Sequence, residues 1–107
     1  MSTPEGLVKK HIKEALAEMQ AKGLPLWFYM PVGGRFGKAG IPDFCGHYTL
    51  NGVVVPFGIE AKAAGGKTTA LQDKALADAR AAGGNFGIIK PHPIKTIKEQ
   101  VYEFIYT

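Results

Sequence analysis

The fold of this 107-residue chain is decided by the segment Asp43–Lys62, which reads DFCGHYTLNGVVVPFGIEAK. It holds two stretches, about 43–50 and 53–62, whose β-branched and aromatic residues favour β-strands. Between them lies Asn51-Gly52, the dipeptide that most strongly indicates a two-residue hairpin turn, because both residues tolerate a positive φ. The segment therefore predicts a β-hairpin whose register is set by its turn.

This register places two carboxylates opposite each other. If Leu50 faces Val53, stepping back along the ladder pairs Asp43 with Glu60 on a non-hydrogen-bonded rung, where Cα atoms approach to about 4.5 Å. Facing like charges destabilise a sheet, so the pair needs a compensating cation. Carboxylate oxygens suit a hard ion, and we therefore predict that Asp43 and Glu60 bind Mg²⁺ or Mn²⁺.

Lys62 is expected beside this pair, because alternate residues of a strand share a face. Two carboxylates, a divalent ion and an ammonium group suit phosphodiester hydrolysis, in which the metal activates a water and the lysine orients or deprotonates it. The alternative is a surface ladder in which Lys62 neutralises one carboxylate. The apolar neighbours Ile59 and Ala61 are typical of a central strand, and they favour the catalytic interpretation.

Helices and strands alternate along the rest of the chain. Thr3 is expected to cap a first helix with Pro4 at its first position, and Gly23 and Pro25 end that helix. The other predicted elements are a buried aromatic strand at 26–30, a helix at about 69–82, a strand at 86–89 and a helical segment at 94–105. We predict a single α/β domain of order α-β-β-β-α-β-α, in which helices flank a mixed sheet that contains the hairpin.

Helical phase adds two polar candidates. Glu5 lies at the centre of the apolar stripe that continues through Val8, so its side chain should point toward the sheet. We predict that Glu5 is a further metal ligand, direct or through water, the alternative being a favourable charge at a helix N-terminus. Gln72 completes a capping box with Thr69, yet it also lies near the apolar face of its helix and is a candidate to contact the scissile phosphate or the metal-bound water.

The composition is that of a basic globular protein without disulfides. Thirteen lysines and arginines against nine acidic residues give a net charge of +4, which favours a polyanionic partner. Candidate DNA contacts are Arg35 and Lys38 in a glycine-rich loop, together with Lys67 and Lys74. The single Cys45 suits a reducing compartment, and the chain shows neither a signal-peptide pattern nor an apolar run of the ~20 residues that span a membrane. We therefore expect a cytoplasmic protein with no membrane partner.

Four short segments, taken in order, are similar to a known nuclease family. Gly-Ile-Pro-Asp at 40–43 and Ile-Glu-Ala-Lys at 59–62 resemble the PD-(D/E)XK signature. Thr-Thr-Ala-Leu-Gln at 68–72 and Ala-Gly-Gly at 82–84 resemble the VRR-NUC branch of that superfamily. The resemblance covers most of the chain.

This resemblance implies a restriction-endonuclease-like core that hydrolyses DNA with Mg²⁺ or Mn²⁺. By motif match, Asp43 and Glu60 would be metal ligands and Lys62 the catalytic lysine. Glu5 would match the family's glutamate in the first helix, and Gln72 its glutamine after the core strand. Minimal stand-alone members, which are similar to Holliday junction resolvases, imply a homodimer that cuts branched DNA. The alternatives are a nuclease or nickase for linear or single-stranded DNA, and a non-catalytic DNA-binding module with the same fold.

Two surfaces are candidates for the dimer contact. One is the aromatic strand at Trp27–Tyr29, and the other is the last helix, with Tyr102, Phe104 and Tyr106. The sequence does not choose between them, since both sets of side chains are equally suited to a core.

Overall fold

A computed structural model describes residues 3–32 and 40–107 of the chain. Its elements are, in chain order, α1 (Pro4–Ala21), β1 (Leu26–Tyr29), β2 (Phe44–Leu50), β3 (Val53–Ala61), α2 (Ala70–Ala81), β4 (Asn85–Ile89) and α3 (Ile97–Tyr106). The predicted α/β class and the order α-β-β-β-α-β-α are confirmed. Arg35 and Lys38, two of the predicted DNA contacts, lie outside the described residues.

The four strands form one mixed sheet in the order β1-β2-β3-β4. β2 pairs antiparallel with both β1 and β3, whereas β3 and β4 are parallel. Parallel neighbours need a long crossover connection, and α2 with its two flanking loops supplies it. The carboxyl ends of β3 and β4 therefore meet at one edge of the sheet, which is the usual place for a ligand site in α/β proteins.

The hairpin of β2 and β3 has the predicted register. Asn51 and Gly52 have φ values of 52° and 78°, as a type I′ turn requires. The ladder then runs without a bulge from the turn to the pair Phe44 and Ile59. This register leaves the two predicted carboxylates one step beyond the last antiparallel pair.

The core lies between one face of the sheet and the helices α1 and α3. Thr3 caps α1 by accepting a hydrogen bond from the Gly6 N–H at 2.9 Å, and Pro4 occupies the first position. The buried side chains of the core are Val8, Ile12, Ala15, Leu16 and Met19 from α1, Leu26, Phe44, Tyr48, Phe57, Ile59, Ala61 and Ile89 from the sheet, and Val101 and Ile105 from α3. Successive residues of β3 point to alternate faces of the sheet. Glu60, which lies between the core residues Ile59 and Ala61, therefore points to the face away from α1 and α3.

A polar cluster joins α1 to α3 at the surface. The Glu18 carboxylate lies 2.8 Å from Lys22 Nζ and 2.6 Å from Lys98 Nζ, and it accepts a hydrogen bond from the Tyr102 hydroxyl at 3.1 Å. Lys22 and then Lys98 lower the pKa of Glu18 to about 2, because each favours the charged carboxylate.

The prediction of a buried aromatic strand at 26–30 is wrong for three of its five residues, Trp27, Tyr29 and Met30. Leu26 packs into the core, but the side chains of Trp27 and Tyr29 are 54% and 48% exposed. β1 is an edge strand, and its odd-numbered residues point to the face opposite α1. On that face α2 packs against β4 at the far side of the sheet, so it leaves β1 uncovered.

The last helix begins later than its apolar spacing suggested. Ile94 is 85% exposed and lies outside α3, which starts at Ile97. Thr96 forms a capping box with Glu99, and this box determines the helix start. Among the described residues, no helix combines the length and the apolar character needed to cross a membrane.

Candidate active site

Asp43 and Glu60 lie together where the antiparallel ladder ends. Glu60 Oε1 accepts a hydrogen bond from the Asp43 N–H at 3.2 Å, and Asp43 Oδ2 accepts one from the Ala61 N–H at 2.9 Å. Each carboxylate therefore contacts the backbone of the neighbouring strand. Glu60 is only 4% exposed, while Asp43 is partly buried. The structure brings together the two side chains that the turn had placed opposite each other.

The electrostatics of this pair are unfavourable in the absence of a cation. Burial raises the pKa of Glu60 to about 7, and the adjacent Asp43 carboxylate adds to the increase, whereas Lys62 opposes it. Both main causes disfavour the charged form of Glu60. A cation bound between the carboxylates would favour that form, so the site is suited to binding one.

Lys62 and Gln72 both contact Glu60. Lys62 Nζ lies 3.2 Å from Glu60 Oε2, and its side chain is 12% exposed. Gln72 Nε2 donates a hydrogen bond to the same oxygen at 2.5 Å. The Gln72 amide oxygen meanwhile accepts from the Thr69 N–H at 3.0 Å. The two interpretations of Gln72 are therefore compatible, since its oxygen caps α2 and its nitrogen reaches the candidate site.

The first turn of α1 reaches the site, but its glutamate contacts lysines. Glu5 Oε1 lies 3.9 Å from Lys62 Nζ, and Glu5 Oε2 lies 3.7 Å from Lys9 Nζ. Lys9 Nζ is in turn 3.3 Å from Asp43 Oδ1. Sequence analysis missed Lys9, although a residue one helical turn after Glu5 shares its face.

The donor set determines which metal the site fits. Among residues 3–32 and 40–107, no group of three or more His, Cys, Asp and Glu side chains is placed to hold a metal ion. Asp43 and Glu60 are two oxygen donors that lie together at the end of the antiparallel ladder. Mg²⁺ is usually held by one or two carboxylates with water and substrate phosphate completing its shell. Asp43 and Glu60 fit such an ion. Glu5 is not one of its direct donors, because its carboxylate contacts Lys62 and Lys9.

The predicted DNA-contacting lysines differ in their surroundings. Lys67 lies beside Lys62 in a cleft at the ends of β3 and β4, together with Lys90, which sequence analysis did not consider. Lys74 instead pairs with Asp78 at 2.6 Å on the exposed side of α2. The sequence carries no signal for Lys90, because the register between β3 and β4 is determined by packing across the crossover.

No family model, curated protein or solved structure matches this chain. The resemblance to VRR-NUC nucleases therefore stays a prediction.

Proposed function

We propose that this protein is a metal-dependent endonuclease that hydrolyses DNA phosphodiester bonds. The observation that carries the proposal is the buried contact between Asp43 and Glu60, with the Lys62 ammonium 3.2 Å from Glu60. Two neighbouring carboxylates, one with a pKa raised to about 7, are unfavourable for the fold alone. Clustered titratable groups with perturbed pKa values are typical of functional sites.

The proposed roles follow from the contacts. Asp43 and Glu60 would hold Mg²⁺ or Mn²⁺, which supplies a Lewis acid that activates water and stabilises charge on the phosphate. Lys62 would orient the attacking water as an ammonium group, or take the proton of that water as the neutral amine, because its nitrogen lies 3.2 Å from Glu60 Oε2. Gln72 holds Glu60 Oε2 through its amide nitrogen and so sets the orientation of that carboxylate. Glu5 would position Lys62 from the opposite side.

We further propose a homodimer that acts on branched DNA. The resemblance to junction resolvases supports this proposal, and so does the exposed surface of the β1 edge strand. Trp27 and Tyr29 there have ring centroids 5.3 Å apart and are about half exposed. On α3, Tyr102 and Phe104 pack against the core and only Tyr106, at 47%, is comparably exposed among the three aromatic residues considered there. The β1 surface is therefore the better candidate for contact between subunits, and light scattering that gave a monomer with and without branched DNA would contradict it.

The proposed location is the cytoplasm. Cys45 is partly buried and has no disulfide partner, and burial raises the pKa of its thiol. Such a cysteine is stable as a thiol in a reducing compartment. Fractionation of cells that express the tagged protein tests this location, and recovery in the secreted fraction would contradict it.

One observation favours a second candidate, a non-catalytic DNA-binding module. Every buried side-chain nitrogen and oxygen of the described residues has a hydrogen-bond partner, so the carboxylate pair does not need a metal to complete its hydrogen bonds. Lys9 and Lys62 already place positive charge beside it. A binding module, however, gains nothing from two carboxylates close to a bound phosphate, and for this reason we prefer the nuclease.

A cleavage assay distinguishes these candidates. The substrates are a four-way junction, a flap, a linear duplex and a single strand, each with Mn²⁺, Mg²⁺ or EDTA. We expect metal-dependent cleavage of the junction, loss of cleavage in Asp43→Asn, and retained DNA binding by that variant in Ca²⁺. The control is Glu14→Gln, which removes an exposed carboxylate on α1 and should cleave normally.

The outcomes separate the alternatives. Binding without cleavage of any substrate would favour the binding module. Preferred cleavage of linear or single-stranded DNA would leave the nuclease and refute the junction preference. Cleavage by Asp43→Asn at the wild-type rate would show that the metal site has been assigned to the wrong residues.

A further inference from the structure

A basic cleft of about 360 Å³ lies beside Lys62 at the ends of β3 and β4. We call it the lysine cleft, and its lining residues are Lys62, Gly66, Lys67, Thr68, Ile88 and Lys90. Three of these six described residues are lysines and none is acidic. The cleft therefore concentrates positive charge next to the Asp43–Glu60 pair.

The parallel pairing of β3 and β4 explains why two of the lysines meet. Ala61 pairs with Ile89 as the last residues of the two strands. The next residues are Lys62 and Lys90, and the Lys62 N–H continues the pairing by donating to the Ile89 carbonyl at 3.0 Å. Paired residues of neighbouring strands share a face. Lys90 consequently lies on the same face as Lys62, which is also the face of Glu60.

A tight turn brings the third lysine to the cleft. After Lys62 the chain reverses, with Gly65 at a φ of 77° and the Gly66 N–H donating to the Ala63 carbonyl at 2.9 Å. Lys67 follows this turn directly and lines the cleft before α2 begins. The position of Lys67 is therefore determined by backbone geometry, while its side chain stays exposed.

Two of the three ammonium groups have no carboxylate partner among the described residues. Lys62 is held by Glu60 and Glu5, but neither Lys67 nor Lys90 lies within 4.0 Å of a carboxylate in the part of the chain that the structure describes. The exposed Lys95, by contrast, is paired with Glu103 at 2.7 Å. Like charges that face one cleft without a partner repel each other, and a polyanion relieves that repulsion.

We propose that the lysine cleft binds the backbone phosphate next to the one that is cleaved, through Lys67 and Lys90. The choice of a polynucleotide as the polyanion rests on the proposed nuclease function. Lys62 lies between the cleft and the carboxylate pair, so a strand whose reacting phosphate lies at Glu60 would place a neighbouring phosphate over Lys67 and Lys90. Ile88, which is 39% exposed, adds an apolar wall for the sugar.

The test is the salt dependence of DNA binding in EDTA, where metal-dependent cleavage is prevented. Fluorescence anisotropy of a labelled single-stranded oligonucleotide, titrated from about 50 to about 200 mM salt, compares wild type, the double variant Lys67→Gln/Lys90→Gln and the control Lys95→Gln. Each lost phosphate contact lowers the slope of log K against log salt by about 0.7 for a single strand. We expect the double variant to lose about 1.4 in slope and about tenfold or more in affinity at low salt. The control should retain the wild-type slope.

Each outcome bears on one proposal. Equal slopes for wild type and the double variant would overturn the lysine cleft, even if the wild type cleaves DNA. Binding that depends on Lys67 and Lys90 without cleavage under any metal condition would keep the cleft and refute the nuclease. Inorganic phosphate that competes as well as the oligonucleotide, at equal phosphate concentration, would refute a polynucleotide ligand. Urea unfolding of all three proteins shows whether the exposed substitutions leave the fold intact.

Discussion

Replacing Glu60 with glutamine should remove a specific pH dependence from the stability of the metal-free protein. The pKa of Glu60 is about 7 in the folded chain, against 4.5 for the free side chain, because of burial and then Asp43. Between these two values the folded state binds more protons than the unfolded state, so the free energy of unfolding falls as pH rises. The contribution of Glu60 to the free energy of unfolding is most favourable below pH 4.5 and is lost as the pH rises through about 7.

The magnitude follows from the two pKa values. One pKa unit corresponds to 1.36 kcal/mol, so the shift to about 7 is worth about 3 kcal/mol in total, and about 2 kcal/mol of this falls between pH 5 and pH 8. Solvent screens little of it, because Glu60 is 4% exposed. The glutamine variant also loses one acceptor, toward either the Asp43 N–H or the Gln72 amide, at about 1 kcal/mol. The quantity to compare is the slope of the free energy of unfolding against pH.

The assay is urea unfolding in EDTA at a series of pH values from about 5 to about 8. Wild type is compared with Glu60→Gln and with the control Glu14→Gln, which removes an exposed carboxylate from α1. Relative to wild type, Glu60→Gln should gain about 2 kcal/mol in stability across this range, and the control should gain nothing. Parallel pH profiles for wild type and Glu60→Gln would refute the reasoning. Adding Mn²⁺ at pH 8 should stabilise wild type and leave Glu60→Gln unchanged if Glu60 is a ligand.

Three further substitutions test other contacts. Lys9→Gln should tighten Mn²⁺ binding, measured by calorimetry, by about two- to fivefold. The reason is that the Lys9 ammonium group lies 3.3 Å from Asp43 Oδ1 and competes with the metal. Weaker binding would show that Lys9 assists the site. Gly46→Ala should lower the free energy of unfolding, measured with urea, by about 3 kcal/mol. A Cβ at this position overlaps the Trp27 carbonyl oxygen on the neighbouring strand. A variant as stable as wild type would contradict the pairing of β1 with β2. Glu18→Gln should flatten the fall in melting temperature between pH 4.5 and about pH 2. The lowered pKa of Glu18 gives stability above pH 4.5 that is lost on acidification. A melting temperature that falls as steeply in the variant as in wild type would exclude the Glu18 ion pairs as the source of this acid sensitivity.

The parts of this fold that could be predicted from the sequence are those that depend on local chemistry. The Asn51-Gly52 turn determines the hairpin register through its positive φ values. That register brings Asp43 to Glu60 without reference to any other element. Helical phase likewise placed Glu5 on the side of α1 that faces the sheet, because a helix has a constant rotation per residue.

The remaining features of the site depend on where separate elements pack, and only the tertiary structure decided them. Lys9 reaches Asp43, and Glu5 contacts Lys62 instead of the carboxylate pair, because the first turn of α1 packs at that edge of the sheet. Lys90 lies beside Lys62 because β4 adds in parallel to β3 across a crossover helix. Long side chains report on contacts between elements that are distant in sequence, and neither periodicity nor turn chemistry encodes those distances. The hairpin and its carboxylates were therefore determined by the sequence itself, while the charges that surround them were determined by packing.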